Sequence, residues 1–356
     1  MPEGLETHAL QTEASSCPGL NLGVELPSQV ARFVAAASIP QTAVAALVPL
    51  LAGTEDEVPL PGQGKTLARF SVLASVAGAD VTAARVLEPH LDAFAILAEA
   101  GVPRTAERAA WGVFAAESAS ELLQADRSDD DWRLNGVKPW CSLGDRLDAA
   151  LVTAHTGPST RRLFSVRLQT GNVRSESHAW VARGLSDVDS GPLRFSDVDA
   201  EPVGSDGWYL TRSGFEWGGI GVAATWWGGA VPLCTAITAS VRAKAADSAL
   251  QNRVGALWQS MFVARTVIER AAALIDDGTR SRDEWAVIAH AVRGATAMAV
   301  DEALDAVRDI LGPAALCTDE NIARRAADLQ TYTAQYHRLR DPASIGRRVL
   351  EDEVTW

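Results

Sequence analysis

Few stretches of this sequence carry residues that could do chemistry. Glu216–Ala230 (E-W-G-G-I-G-V-A-A-T-W-W-G-G-A) interleaves glycine and alanine with Trp217, Trp226 and Trp227. Small residues allow close backbone approach and indole faces supply flat apolar area, so the pattern suits a flat aromatic cofactor or an acyl chain. A tightly packed core helix has the same pattern, and both readings stand at this point. Gly62-Gln63-Gly64-Lys65-Thr66 invites comparison with a phosphate-binding loop, but G-x-x-x-x-G-K-[ST] needs glycine where Pro59 stands, and no apolar strand precedes it. Thr66 is instead expected to cap the helix that follows. His90, on an apolar stretch, reads as a hydrogen-bonded core histidine. Cys17, Cys141, Cys234 and Cys317 lie far apart, without a C-x-x-C pair or a short spacing to histidine. That excludes a standard zinc signature and does not suggest a disulfide framework, so no metal site is expected.

The chain of 356 residues is long enough for two or three domains, each with its own core. Hydrophobic residues at 47% and charged residues at 22% are ordinary for a globular protein. A net charge of −13 argues against nucleic acid as the main partner, because phosphate backbones need a basic footprint. It would also repel any polyanionic ligand unless basic residues cluster locally. The sequence has no basic segment followed by a short apolar run, and no 18 uninterrupted apolar residues, so a cytoplasmic protein without membrane contact is expected.

The elements that must position any site fall into an order of helices, strands and helices, an α+β arrangement with a segregated β module. Residues 1–19 read as a disordered leader. Residues 20–108 are Ala/Val/Leu-rich helices punctuated by proline, with a long helical stretch from Leu67 to Glu99, breaks at Gly78 and Pro89-His90, and a stop at Gly101-Val102-Pro103. Residues 109–213 carry short strand-like runs: Leu147–Ala154, Leu163–Leu168, His178–Val181 and Leu193–Ser196. Asn135-Gly136 predicts a type I′ hairpin pairing 132–134 with 137–140, and the acidic run 126–131 reads as a solvated loop. Residues 214–341 form long helices. Leu250, Val254, Leu257, Met261, Ala264, Ile268, Ala271 and Ile275 mark one seam, Ser281 with Glu284 a capping box, and Gly312-Pro313 a helix end. Residues 342–356 read as a mobile polar tail.

L-N-G-V-K-P-W-C-S, residues 134–142, resembles the "nG-x-K-x-W-x-[ST]" signature of the acyl-CoA dehydrogenase superfamily, and the domain order resembles that family as well. The resemblance covers roughly residues 20–341. It implies an N-terminal helical domain, a middle β-barrel domain and a C-terminal helical bundle. It implies an FAD-dependent oxidoreductase acting on an acyl thioester or related small molecule, associating through its C-terminal bundle as a homodimer or homotetramer, or with a sister subunit. Trp140 and Ser142 take the positions that cover the isoalloxazine and meet flavin N5, with Cys141 between them. Ala116 and Glu117 take the place of Thr-Glu in the upstream "T-E-P-x-A-G-S-D". Arg253 with Gly255 approximates the "R-x-x-F-G" pyrophosphate site. The "R-x-x-R-D" motif corresponds to Arg324–Asp328, and the glutamate of the following "Y-E-G-T" falls at about Tyr336, flanked by Gln335 and His337. Where other members carry the base on the first helix after the β domain, this chain has Gly218, two residues or about 200° from Glu216. Glu216 and His337 are therefore the candidates for the base. Without one, the scaffold could serve as a flavin monooxygenase or oxidase, or as a catalytically inactive binding subunit.

Overall fold

The computed structural model describes residues 20–22, 24–39, 42–103, 108–118, 121–128, 131–176, 178–243, 247–351 and 353–354. The leader expected at 1–19 lies outside the described residues. The N-terminal helices are α1 (Ser28–Ala37), α2 (Val44–Leu47), α3 (Thr54–Glu57), α4 (Thr66–Ala79) and α5 (Val81–Ala100). Asp80 separates the last two and caps α5 by accepting from the Ala83 N–H at 2.7 Å. Pro89 does not break α5, which runs on to Gly101 in the left-handed conformation that ends helices. His90 is fully buried and accepts the Trp111 N–H at Nδ1 (3.2 Å), so its Nε2–H is free to donate to Glu55 at 3.0 Å. It is a core histidine. Thr66 is the first residue of α4, and the capping carboxylate comes from afar: Asp276 accepts from the Thr66 N–H, the Thr66 hydroxyl and the Gly64 N–H.

Among the described residues seven strands follow: β1 (Trp111–Phe114), β2 (Leu123–Ser128), β3 (Asp131–Lys138), β4 (Ala149–His155), β5 (Arg161–Arg167), β6 (Val173–Ser175) and β7 (Leu193–Val203). The ladder runs β4-β2-β3-β7-β5 and β5 pairs again with β4, which closes a barrel. Along one edge of β4, β1 pairs with Ala149–Val152 and β2 touches only His155. Leu134, Val152, Phe164, Val166 and Phe195 fill the interior. The expected hairpin at Asn135-Gly136 is wrong. β3 passes straight through that pair and runs antiparallel to β2, with Ser128 opposite Asp131. Gly136 has φ +119°, and a Cβ there would stand 2.2 Å from the Leu122 carbonyl oxygen. The register against β7 shifts between Leu134 and Gly136. The glycine therefore makes a β-bulge rather than a turn. Residues 126–128 and 131, taken for loop, are strand. His178–Val181 is irregular.

A short α6 (Trp208–Thr211) leads into α7 (Ser213–Ala243), α8 (Ser248–Asp277) and α9 (Arg282–Ala306). By length and composition α7 could cross a membrane, but 67% of its most apolar window is buried against other helices. A Cβ on Gly228 would lie 2.2 Å from the Ala74 carbonyl oxygen, so this glycine sets the contact of α7 with α4. The α8 seam is buried from Leu257 to Ile275, and the Ser281–Glu284 capping box is formed. Gly312-Pro313 does not end a helix but opens α10 (Gly312–Thr318), after a wide turn at Val307–Leu311. Then come α11 (Glu320–Thr333) and α12 (Asp341–Leu350), so most of the expected polar tail is helical.

The Arg324–Asp328 segment staples these parts together. The Arg325 guanidinium donates to the carbonyls of Ala77, Gly78 and Ala79 at the end of α4 and of Gly229 on α7, at 2.8–3.1 Å. A cation there also opposes the negative end of the helix dipole. Asp328 accepts from the Leu185 N–H and the Thr82 hydroxyl. Arg325→Ala is expected to lower unfolding free energy by about 2–3 kcal/mol, the scale of charge-assisted hydrogen bonds. Denaturant melts would measure it, and an unmoved midpoint would show that those carbonyls find other donors.

Candidate functional site

The loop after β3 presents the signature residues. Trp140 has φ +58° and Leu143 φ +55°, a region that costs a non-glycine residue about 1–3 kcal/mol. The 185–191 loop holds this geometry: the Cys141 N–H donates to Gly191 O (3.1 Å), the Leu143 N–H to Asp189 O (2.7 Å), and the hydroxyls of Ser142 and Ser190 lie 2.8 Å apart. The result is an indole that stays 59% exposed. Ser142 Oγ also accepts from Arg85 Nη2 at 3.1 Å. Cys141 points inward. Its thiol donates to Lys138 O at 3.2 Å, and burial pushes it up to about 12, so it is an inert core group with nothing to offer a ligand.

Glu117 and Ala116 differ from the roles that the resemblance implies. Glu117 Oε1 accepts from Lys138 Nζ (2.8 Å) and from the Thr153 hydroxyl (3.2 Å), and Arg161 Nη1 lies 3.3 Å away; Oε2 meets His155 Nε2 at 3.0 Å. Partial burial alone would raise its pKa, but the Lys138 hydrogen bond and charge, with His155 and Arg161, outweigh that and hold it at about 2. Both carboxylate oxygens are thus engaged in tying β1 to the barrel. Ala116 is exposed and has no polar side-chain atom.

Behind Ser142, α5 presents a row that sequence reasoning missed. Arg85, Glu88 and Asp92 recur at spacings of three and four on a mostly apolar helix, and that interruption of the apolar pattern is the signal that could have found them. Arg85 stacks over Tyr332 of α11, with 5.8 Å between guanidinium carbon and ring centroid. Glu88 and Asp92 line a cavity of about 10 Å³ with Arg69, Phe70, Leu73, Trp217, Gly218 and Gly221. Burial raises Glu88 to about 7, against the lowering effect of Arg85. Burial also raises Asp92, and Arg212 at 4.0 Å opposes it. Arg293 lies 4.7 Å over Trp226, whose ring meets Tyr332 edge-on at 6.1 Å. Among the described residues, Trp217 Nε1, Trp226 Nε1 and the Tyr332 hydroxyl are buried without a hydrogen-bond partner. An orphaned buried polar atom is uncommon in a finished core, and a ligand or water is one way of completing it.

Gly218 lines this cavity, and a Cβ there would stand 3.2 Å from Asp92 Oδ1. Glu216 is not among the lining residues. Burial raises its pKa, and Arg293, Arg282 and Arg348 are the charges it feels. His337 is exposed in the turn between α11 and α12, where its N–H donates to Asp341, while its neighbour Tyr336 is buried. Arg253 forms ion pairs with Glu302 and Asp309. The structure therefore brings together Ser142, Arg85, Tyr332 and Glu88, with Trp140 exposed two residues from Ser142 on the same loop. It leaves Glu216, His337, Glu117 and Arg253 outside that group.

A helical domain, a closed barrel and a helical bundle meeting at this seam define a protein with the acyl-CoA dehydrogenase fold. Among similar solved structures is dibenzothiophene monooxygenase from Paenibacillus sp. A11-2 in complex with FMN and indole, at 17% identity over 91% of this chain and 95% of that one, with a TM-score of 0.77. Butyryl-CoA dehydrogenase from Megasphaera elsdenii is similar over 87% of this chain and 94% of that one, at 16% identity and a TM-score of 0.69. A probable acyl-CoA dehydrogenase from Mycobacterium abscessus shares 16% identity over 86% of this chain and 90% of its own, with a TM-score of 0.68. No family profile matches the sequence, and no curated protein matches it by sequence.

Proposed function

We propose that this protein is a flavin-dependent oxidoreductase acting on a small molecule, with the flavin ring over Trp140 and its edge at Ser142. The observation that carries the reading is Trp140, a large apolar side chain kept exposed in a strained backbone conformation by a braced loop. Exposure and strain together mark a binding face rather than packing. A flavin bound there supplies two-electron chemistry. The indole covers the ring, the Ser142 hydroxyl meets its edge, and the orphaned donors of Trp226 and Tyr332 lie behind. The resemblance implies FAD, while the monooxygenase named above was solved with FMN. Arg253 is already paired and is a poor anchor for the FAD pyrophosphate, so both cofactors belong in the test.

An acyl thioester is the substrate that the resemblance implies. The inner cavity behind Ser142, lined by Arg69, Glu88 and Asp92, has room for only about one water and offers no channel for an acyl chain. Oxygenase or oxidase chemistry is the second reading. It is favoured by the buried Tyr336 and exposed Gln335 and His337 where a dehydrogenase would place its glutamate. Self-association through the C-terminal bundle belongs to the proposal too, since exposed Trp258 and Phe262 stack at 5.0 Å beside exposed Val263 on α8. A cytoplasmic setting rests on the dispersed cysteines.

The test is the visible spectrum of purified protein incubated with FAD or FMN and passed through gel filtration. Retained flavin bands are expected. An empty spectrum with both cofactors would overturn the reading in favour of a non-catalytic subunit. Trp140→Ala is expected to weaken flavin binding about tenfold, through loss of roughly 1.4 kcal/mol of ring contact. Unchanged affinity would move the ring elsewhere.

A further inference from the structure

We propose that Arg85 sets the redox level of the bound flavin: its guanidinium stands at the Ser142 edge of the ring, close enough for its field to stabilise the net negative charge that reduction leaves on the ring. The inference rests on the flavin reading above. Arg85 Nη2 lies 3.1 Å from Ser142 Oγ, the hydroxyl assigned to the flavin edge, and the guanidinium packs over Tyr332, whose ring is 1% exposed. The cation is thus held in place from two sides. Among the described residues no carboxylate forms an ion pair with it. Glu88, three residues along α5, is the carboxylate coupled to it, and burial favours that group's neutral form.

The charge arithmetic is simple. An oxidised ring that takes two electrons, and one proton at N5, gains one net negative charge, carried by the pyrimidine part of the ring. A fixed cation at its edge favours that state over the neutral oxidised one, all the more where little water screens it. Arg69 and Arg293 add to the same positive field, while Glu88 and Asp92 reduce it according to their ionisation.

The experiment is a reductive titration of flavin-loaded wild type, Arg85→Met and Arg85→Lys against a reference dye, with dithionite as reductant. Arg85→Met is expected to shift the ratio of reduced to oxidised flavin at least tenfold toward oxidised, a fall of about 30 mV for a two-electron couple. Arg85→Lys, which keeps the charge, should stay within about threefold of wild type on the same conversion. A purely structural role for Arg85 would alter melting and flavin retention in both variants without this ordering of potentials. If Arg85→Met does not fold, Arg85→Gln takes its place. A folded neutral variant that holds flavin at the wild-type potential overturns the assignment and leaves the flavin reading standing. Wild type that retains no flavin overturns both.

Discussion

Glu117→Ala is expected to lower the unfolding free energy by about 3 kcal/mol at neutral pH, because it strands the buried ammonium of Lys138. Lys138 is 2% exposed, and its other partner is the Thr153 hydroxyl at 2.8 Å, which cannot balance a charge. Burial already pulls the Lys138 pKa down against the upward pull of Glu117. Without Glu117 the lysine should lose its proton at still lower pH, and the variant should recover part of its stability in alkali. The wild type should show the opposite edge. Glu117 is held at about 2 against an ordinary 4.5, so its stabilisation is present above about 4.5 and is lost as pH falls toward 2. Denaturant melts across pH would measure both limbs. The double variant Glu117→Ala/Lys138→Met should regain much of the loss, since an apolar side chain replaces the stranded charge. A single variant as stable as wild type at pH 7 would show that Lys138 finds another partner, and would free Glu117 for the ligand role that the resemblance implies.

What could be read in advance follows the range of the interactions. The α8 seam, the Ser281–Glu284 box and the stop at Gly101 are local devices, complete within one or two helical turns, and all three are in the structure. Gly136 shows where local reading stops. A left-handed glycine is needed in either case, but whether it makes a turn or a bulge depends on the Leu122 carbonyl, which reaches it only once β2 has paired. β2 itself was hidden because only Leu123 and Ala125 face inward on a strand that is otherwise exposed and polar. Trp140 and Ser142 stood out as a motif, and the structure places them on one braced loop. Their surroundings could not be read from neighbours in sequence. Ser142 meets Arg85 across 57 residues, and Tyr332 is farther still. The charged row on α5 was visible as an interruption of an apolar pattern, yet the pattern alone does not say whether such a row faces solvent or a cavity.

That row leads to the second large effect. Glu88→Gln is expected to stabilise the protein increasingly as pH rises, by at most about 3 kcal/mol above about pH 8, and to change little at about pH 4. The sign follows from burial. Glu88 titrates at about 7 in the folded chain against an ordinary 4.5, because burial disfavours its charged form more than Arg85, Arg69 and Arg293 favour it. At low pH the group is neutral in both states and contributes no penalty. Between about 4.5 and 7 the unfolded chain gives up the proton first, and the folded state falls behind until Glu88 ionises too. Glutamine keeps the shape and removes the ionisation, so the difference between variant and wild type should trace that window. Thermal melts from acid to mild alkali would show it. A difference that is flat with pH would mean that Glu88 titrates normally. A reversed difference, with the variant weaker at high pH, would mean that the ionised carboxylate forms an ion pair with Arg85. That pairing would remove the unneutralised cation on which the proposed redox role depends, so this melt also tests the premise of the Arg85 inference without any flavin present.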